Sequence, residues 1–297
     1  MTVLAPAVPE SARALLRSVV DYAGLFPPTS ATMGDAVAHY AGERAGADQW
    51  MLGRFVLPAA RLAEFKAVHA PFAGEPEWRL SAVVGDLDAE LPGIVAFSAH
   101  ARGAIVDAME VKAASAADVR HIASMRLPGV DVFVEVPLAD PEPLLRLVSA
   151  HGFLGKVRAG GVTPDAIPTP AALAKFLAAA VRVGLPFKCT AGLHHPLRGD
   201  YRLTCAADAP VGTLFGYLNV LLAAAAVRAG WPASDVEALL VERDRDAVTF
   251  GASGVAWRGR VIGNHALEDT RAASLRSFGS CSFREPADEI GPIVRGR

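Results

Sequence analysis

The sequence predicts an α/β protein: a (β/α)8 TIM-type barrel with a helical and hairpin insertion before its last strand. Three observations carry this. Short β-branched or apolar runs alternate with alanine-rich stretches of helical period through the first two-thirds of the chain. Seven such units recur at roughly 25–30 residues, a spacing that calls for parallel strands and right-handed crossovers. An eighth apolar run, SFGSCSF (277–283), stands near the end. An open doubly wound sheet fits the alternation too, but no GxGxxG follows the first run, which disfavours its dinucleotide-binding form.

The strand runs, in order, are SVVDYAGLF (18–26), WMLGRFVLP (50–58), WRLSAVVGD (78–86), GAIVDAMEVKA (103–113), VDVFVEVPL (130–138), GFLGKVRAGG (152–161) and LPFKCTAGL (185–193). Helices are expected near 31–45, 59–70, 88–100, 115–126, 140–150 and 170–183. Ser115 with Asp118 three residues on reads as a capping box. Asp140 before PEPLLRLVSA reads as a helix start with proline in the first turn. The insertion, about 196–275, should hold a long apolar helix at 211–230, a second at 234–243, a hairpin at 247–259 and a third helix near 265–275. No long linker or second core is evident, so residues 1–297 read as a single domain. The 211–230 segment approaches the length of a membrane span, but its glycines, Asn219 and Arg228 favour a core helix, one that can also pack against a second copy in a homo-oligomer.

With 52% hydrophobic and 20% charged residues, the chain can bury a large core. A net charge of −2 without a basic run argues against nucleic acid or an anionic membrane as partner. Three widely spaced cysteines fit a reducing cytoplasm better than a disulfide framework. The N-terminus lacks a basic region ahead of an apolar core, so it does not read as a signal peptide.

Of 29 Lys+Arg only five are lysine, and three of these, Lys112, Lys156 and Lys188, fall in strand runs. A lysine, unlike an arginine, can lose its proton when buried and act as nucleophile or base. In a barrel the active site lies at the C-terminal ends of the strands. Near those ends stand Asp21, Arg54, Asp86, Asp107, Glu110, Lys112, Glu135, Lys156, Arg158, Lys188, Thr190, His194 and His195. Strand alternation aims Glu135, Lys156, Arg158, Lys188 and Thr190 into the barrel and turns Val157 and Cys189 toward the helices. Two lysines in one confined space would each depress the other's pKa, leaving one free to form a Schiff base. The turns RAGG, with Gly160 and Gly161, and TAGL can present backbone N–H groups to an anion. Ser280 and the histidines can add hydrogen bonds to it.

The order VFVEVPL, GKVRAGG, a helix, then PFKCTAGL resembles deoxyribose-phosphate aldolase and its class I aldolase relatives over about residues 103–193. The resemblance implies a barrel lyase that needs no cofactor. It puts the Schiff-base lysine at Lys156, its activating partner at Lys188 and an acidic proton shuttle at Asp107. Val157 and Arg158 stand where that family has small hydroxyl residues, and LHH replaces its Gly-Ile-Arg. Alternation also sets Asp107 against Glu110: without a bulge only one faces inward, and Ile105, Met109 and Val111 favour Glu110. The expected function is an aldolase-like lyase acting on a small anionic carbonyl compound. Two alternatives stand beside it. One is a divalent-metal lyase or isomerase using His194, Glu110 and Glu135; the other is a non-catalytic binding barrel.

Overall fold

The computed structural model describes residues 8–72 and 76–294. Helix α1 (Glu10–Leu16), which the sequence reading does not anticipate, precedes β1 (Val20–Tyr22). There follow α2 (Met33–Arg44), β2 (Leu52–Pro58), α3 (Leu62–His69), β3 (Trp78–Val83), α4 (Leu87–His100), β4 (Ala104–Lys112), α5 (Ala116–Ser124), β5 (Asp131–Glu135), α6 (Glu142–Ala150), β6 (Leu154–Arg158), α7 (Pro170–Val183) and β7 (Phe187–Thr190). The insertion comes next, and β13 (Leu275–Ser280) and α11 (Arg284–Val294) complete the chain. Strands β1 to β7 and β13 close into one parallel barrel, with β13 seated between β7 and β1. This is the expected (β/α)8 barrel.

Of the two helix starts expected from local signals, the one at Ser115 is capped as expected. Ser115 accepts from the Asp118 N–H while the Asp118 side chain takes the Ser115 N–H, a complete capping box. Asp140 does not cap its helix, which starts at Glu142 behind Pro141. Strand faces follow the alternation: Val132, Val134, Val157, Phe187 and Cys189 are buried in the apolar layer between strands and helices. The conflict in β4 is settled by a bulge. Leu80 pairs with Val106 and Ser81 with Ala108, so Asp107 is skipped in the ladder and both it and Glu110 can serve the interior.

The insertion differs from its expected form. Residues 211–214 are not helical; they form β9 (Val211–Leu214), antiparallel to β8 (Gly199–Arg202). The apolar helix α8 (Tyr217–Arg228) therefore starts later. Every residue from Tyr217 to Ala226 is buried within this chain, against α7, α9 (Ala233–Val241), β13 and α10 (Asn264–Ala273), so its apolar face is already covered and is not left for a second copy. The expected hairpin is three-stranded: β10 (Val248–Phe250), β11 (Gly254–Trp257) and β12 (Arg260–Gly263). Leu218, Leu239 and Val255 of the insertion join the same apolar core as the barrel helices. Among the described residues one stretch, Pro164–Val183, has the length and composition to cross a membrane. Its α7 portion buries Leu173, Phe176, Leu177 and Ala180 as a barrel helix.

Candidate active site

Four strands carry their charges in one row. Lys112 is in register with Glu135, Glu135 with Lys156, and Lys156 with Lys188. Parallel pairing at equal register puts these side chains on one face, here the barrel interior. Inside, they join acids from β1 and β4 in a continuous chain. Lys188 Nζ donates to Asp21 Oδ2 at 2.5 Å and to Glu110 Oε1 at 2.7 Å. Lys156 Nζ lies 3.0 Å from Glu110 Oε2 and 2.9 Å from Glu135 Oε2. The order is Asp21–Lys188–Glu110–Lys156–Glu135, so Glu110 separates the two lysines.

The chain is held at its buried end. Ser277 Oγ donates to Asp21 Oδ2 at 2.7 Å, the Arg54 N–H to Asp21 Oδ1 at 2.9 Å, and Ser81 Oγ to Glu110 Oε1 at 2.8 Å. Gly53 makes the Arg54 contact possible, because a Cβ there would sit 2.4 Å from Asp21 Oδ1. Lys188 Nζ also lies 5.4 Å from the Phe133 ring centroid.

Electrostatics divide the two lysines. Burial alone would lower the Lys188 pKa, but Asp21 and Glu110 outweigh it and the value is raised. Lys188 is therefore an ammonium; the lowering expected from a second lysine nearby is outweighed by the two acids. Glu110 is the converse: burial would raise it, yet Lys188 and Lys156 hold it below the ordinary carboxylate range. Lys188 is fully enclosed, whereas the Lys156 side chain is 7% and that of Glu135 12% exposed.

That exposure opens onto a cavity of about 380 Å³ at the C-terminal ends of the strands. Glu110, Glu135, Lys156 and Lys188 lie at its base, with Lys112, Arg158 and Thr190 on its walls. The β8–β9 hairpin supplies Arg202, Leu203 and Leu214, and the loop after β1 supplies Phe26, Pro27 and Pro28. His194 and Cys281, which follow β7 and β13, complete the lining. His194 Nδ1 is 3.2 Å from Ser280 Oγ and 3.7 Å from Cys281 Sγ. Burial, and to a lesser degree His195, lowers the His194 pKa to about 4, so the ring is neutral near pH 7.

Other expected site residues lie elsewhere. Asp107 does not reach the cavity; it is bound by Arg54 at 2.8 Å and Arg79 at 2.5 Å nearer the N-terminal end of the barrel. The bulge turns it inward, but β4 climbs another turn of the pleat before Glu110 reaches the cavity. His195 faces away, hydrogen-bonded to Glu289 at 2.9 Å and stacked on Tyr201. Ser280 touches the site only through His194. Gly161 lines the cavity, but Gly160 packs against the neighbouring turn, where a Cβ would meet Gly192 Cα at 3.1 Å. Gly192 has φ +74°, so the two glycine turns are shaped by their mutual approach. The metal-ligand set of His194, Glu110 and Glu135 is not assembled. Both Glu110 oxygens are taken by lysines, and among the described residues no three His, Cys, Asp or Glu side chains are grouped to hold an ion.

Asp21 and Arg202 belong to the site although the resemblance does not point to them. Asp21 lies in a strand of three residues, too short for alternation to orient it. Arg202 hangs from a polar hairpin whose alternation, GDYR against VGTL, is brief.

No protein-family model matches the chain, and no curated protein matches it. Among solved structures it is similar to a deoxyribose phosphate aldolase from Aeropyrum pernix, described as a tetramer, at 16% identity and a TM-score of 0.44, over 63% of this chain and 84% of that one. It is also similar to a FabK mutant from Thermotoga maritima at 12% identity and a TM-score of 0.37, over 64% of this chain and 60% of that one. These are partial likenesses of barrel fold.

Proposed function

We propose that the protein is an aldolase-like lyase that forms a Schiff base between Lys156 and a small anionic carbonyl compound. The observation that carries this reading is the position of Lys156. Its side chain keeps 7% exposure at the cavity and pairs with Glu135, itself 12% exposed, whereas Lys188 has none. Lys188, enclosed and protonated, is not the nucleophile; its role is to fix Glu110 and Asp21.

In the proposed reaction Glu135 accepts a proton from the Lys156 ammonium, and the free amine adds to the substrate carbonyl. The carbinolamine loses water as Glu135 returns its proton to the leaving hydroxyl. The resulting iminium accepts the electron pair released when the adjacent carbon–carbon bond breaks. A proton acceptor is needed on the hydroxyl of the departing carbon, and neutral His194 on the cavity wall is assigned that part. Lys112, Arg158 and Arg202 hold the anionic end of the substrate, since no carboxylate pairs with them among the described residues.

Borohydride trapping tests this directly. The protein is incubated with small aldehydes, ketones, 2-oxo acids and sugar phosphates, reduced, digested and mapped by mass spectrometry. The expected result is an adduct on Lys156 that Lys156→Arg abolishes without loss of folding. An adduct on Lys188 alone, or none with any compound, would sink the assignment.

A further inference from the structure

A second cavity, of about 210 Å³, lies at the opposite end of the barrel, where the strands begin. Four guanidiniums line it: Arg54, Arg79, Arg271 and Arg276. Two of them are matched. Arg54 pairs with Asp107 at 2.8 Å and Asp131 at 3.1 Å, and Arg79 pairs with Asp107. The other two are not. Arg271 is half-buried and gives its N–H groups to the carbonyls of Leu15, Leu275 and Arg276, with no carboxylate against it. Burial, with Arg276 beside it and against a pull from Asp21, brings its pKa down to about 10. Arg276 is exposed and has no ion-pair partner among the described residues.

The count of charge favours an anion. Asp21 also borders this cavity, but its oxygens are occupied by Lys188, Ser277 and the Arg54 N–H. Even with Asp21 counted wholly against them, four arginines face three carboxylates, Asp21, Asp107 and Asp131. A half-buried cation without a counter-ion is costly, and it is relieved by a ligand that brings the charge. Planar guanidinium forks match the paired oxygens of a phosphoryl group, and the Ser18 hydroxyl at the rim adds a donor. We propose that the floor of the barrel is a second ligand site, which binds a phosphate group through Arg271 and Arg276. The site is independent of Schiff-base chemistry at the mouth.

The test is thermal unfolding and titration calorimetry of the full chain with inorganic phosphate, pyrophosphate and glycerol phosphate, against sodium chloride at equal ionic strength. The expected result is a saturable rise in melting temperature with at least one of the three; the tightest ligand tells a free anion from the end of an organic molecule. Binding should weaken about tenfold in Arg276→Gln, a change at an exposed side chain that leaves folding intact. Because Arg158 serves anions at the mouth, the floor site is read in the Arg158→Gln background, where saturable binding should remain. No rise beyond the chloride control would overturn the proposal, as would binding in that background that survives Arg276→Gln. Loss in Arg158→Gln alone would place the anion at the mouth instead.

Discussion

At the mouth of the barrel, Lys112, Arg158 and Arg202 face an open cavity with no carboxylate against them among the described residues; at the floor, Arg54 and Arg79 are clamped to Asp107 and Asp131. The buried chain from Asp21 to Glu135 connects the two regions, and its own ends differ in the same way. Lys188 is enclosed with two acids, while Lys156 shares its second acid with the cavity. The same residue types therefore do different work. An ion pair cut off from water fixes structure, because breaking it strands a charge. An ion pair at a cavity wall can exchange a partner for water or substrate.

The largest test of that contrast is Lys188→Met against Lys156→Met. The first strands Asp21 and Glu110 and should cost about 3–5 kcal/mol in urea unfolding. The second leaves Glu135 able to take water and should cost less than about 2 kcal/mol while abolishing adduct formation. Equal losses would mean that the two lysines are both structural.

Acid should act at the mouth through His194. Its native pKa of about 4 lies below the unfolded value near 6.5. The unfolded chain therefore binds the proton first, and stability falls as pH drops from about 6.5 to about 4, by no more than roughly 3 kcal/mol. His194→Asn should flatten that part of a stability–pH curve. Glu110 acts lower: its contribution is complete above the ordinary carboxylate pKa of about 4.3 and is lost as pH falls below it toward the depressed native value.

Arg158→Gln should weaken capture of a carboxylated or phosphorylated carbonyl compound by about tenfold, and that of its uncharged analogue hardly at all, measured as the concentration giving half-maximal borohydride trapping. The smallest effect belongs to Arg79→Gln. Its side chain is 59% exposed, so loss of the Asp107 pair should cost no more than about 1 kcal/mol in the same urea assay.

Much of the fold was legible because barrel strands announce themselves twice, by apolar alternation and by regular spacing. The inward set Glu135, Lys156, Arg158, Lys188 and Thr190 followed from parity alone, and the structure brings all five to one cavity. Parity failed at Asp107, where a bulge admits an extra residue, and it had nothing to work on at Asp21. The hairpin carrying Arg202 was hidden because residues 211–214 continue into an apolar helix and read as part of it.

By itself the sequence determined the barrel, the inward sides of β5, β6 and β7, and the insertion ahead of β13. Only the tertiary structure decided which charges meet. Closing the sheet brings β1 beside β13 and sets Asp21 against Lys188, 167 residues apart. Height along the barrel axis then assigned Asp107 to the floor and Glu110 to the mouth. Periodicity records which face a side chain takes. It carries no information about its level in the barrel or the distant strand across from it, and those two facts decide whether an ion pair is structural or free to react.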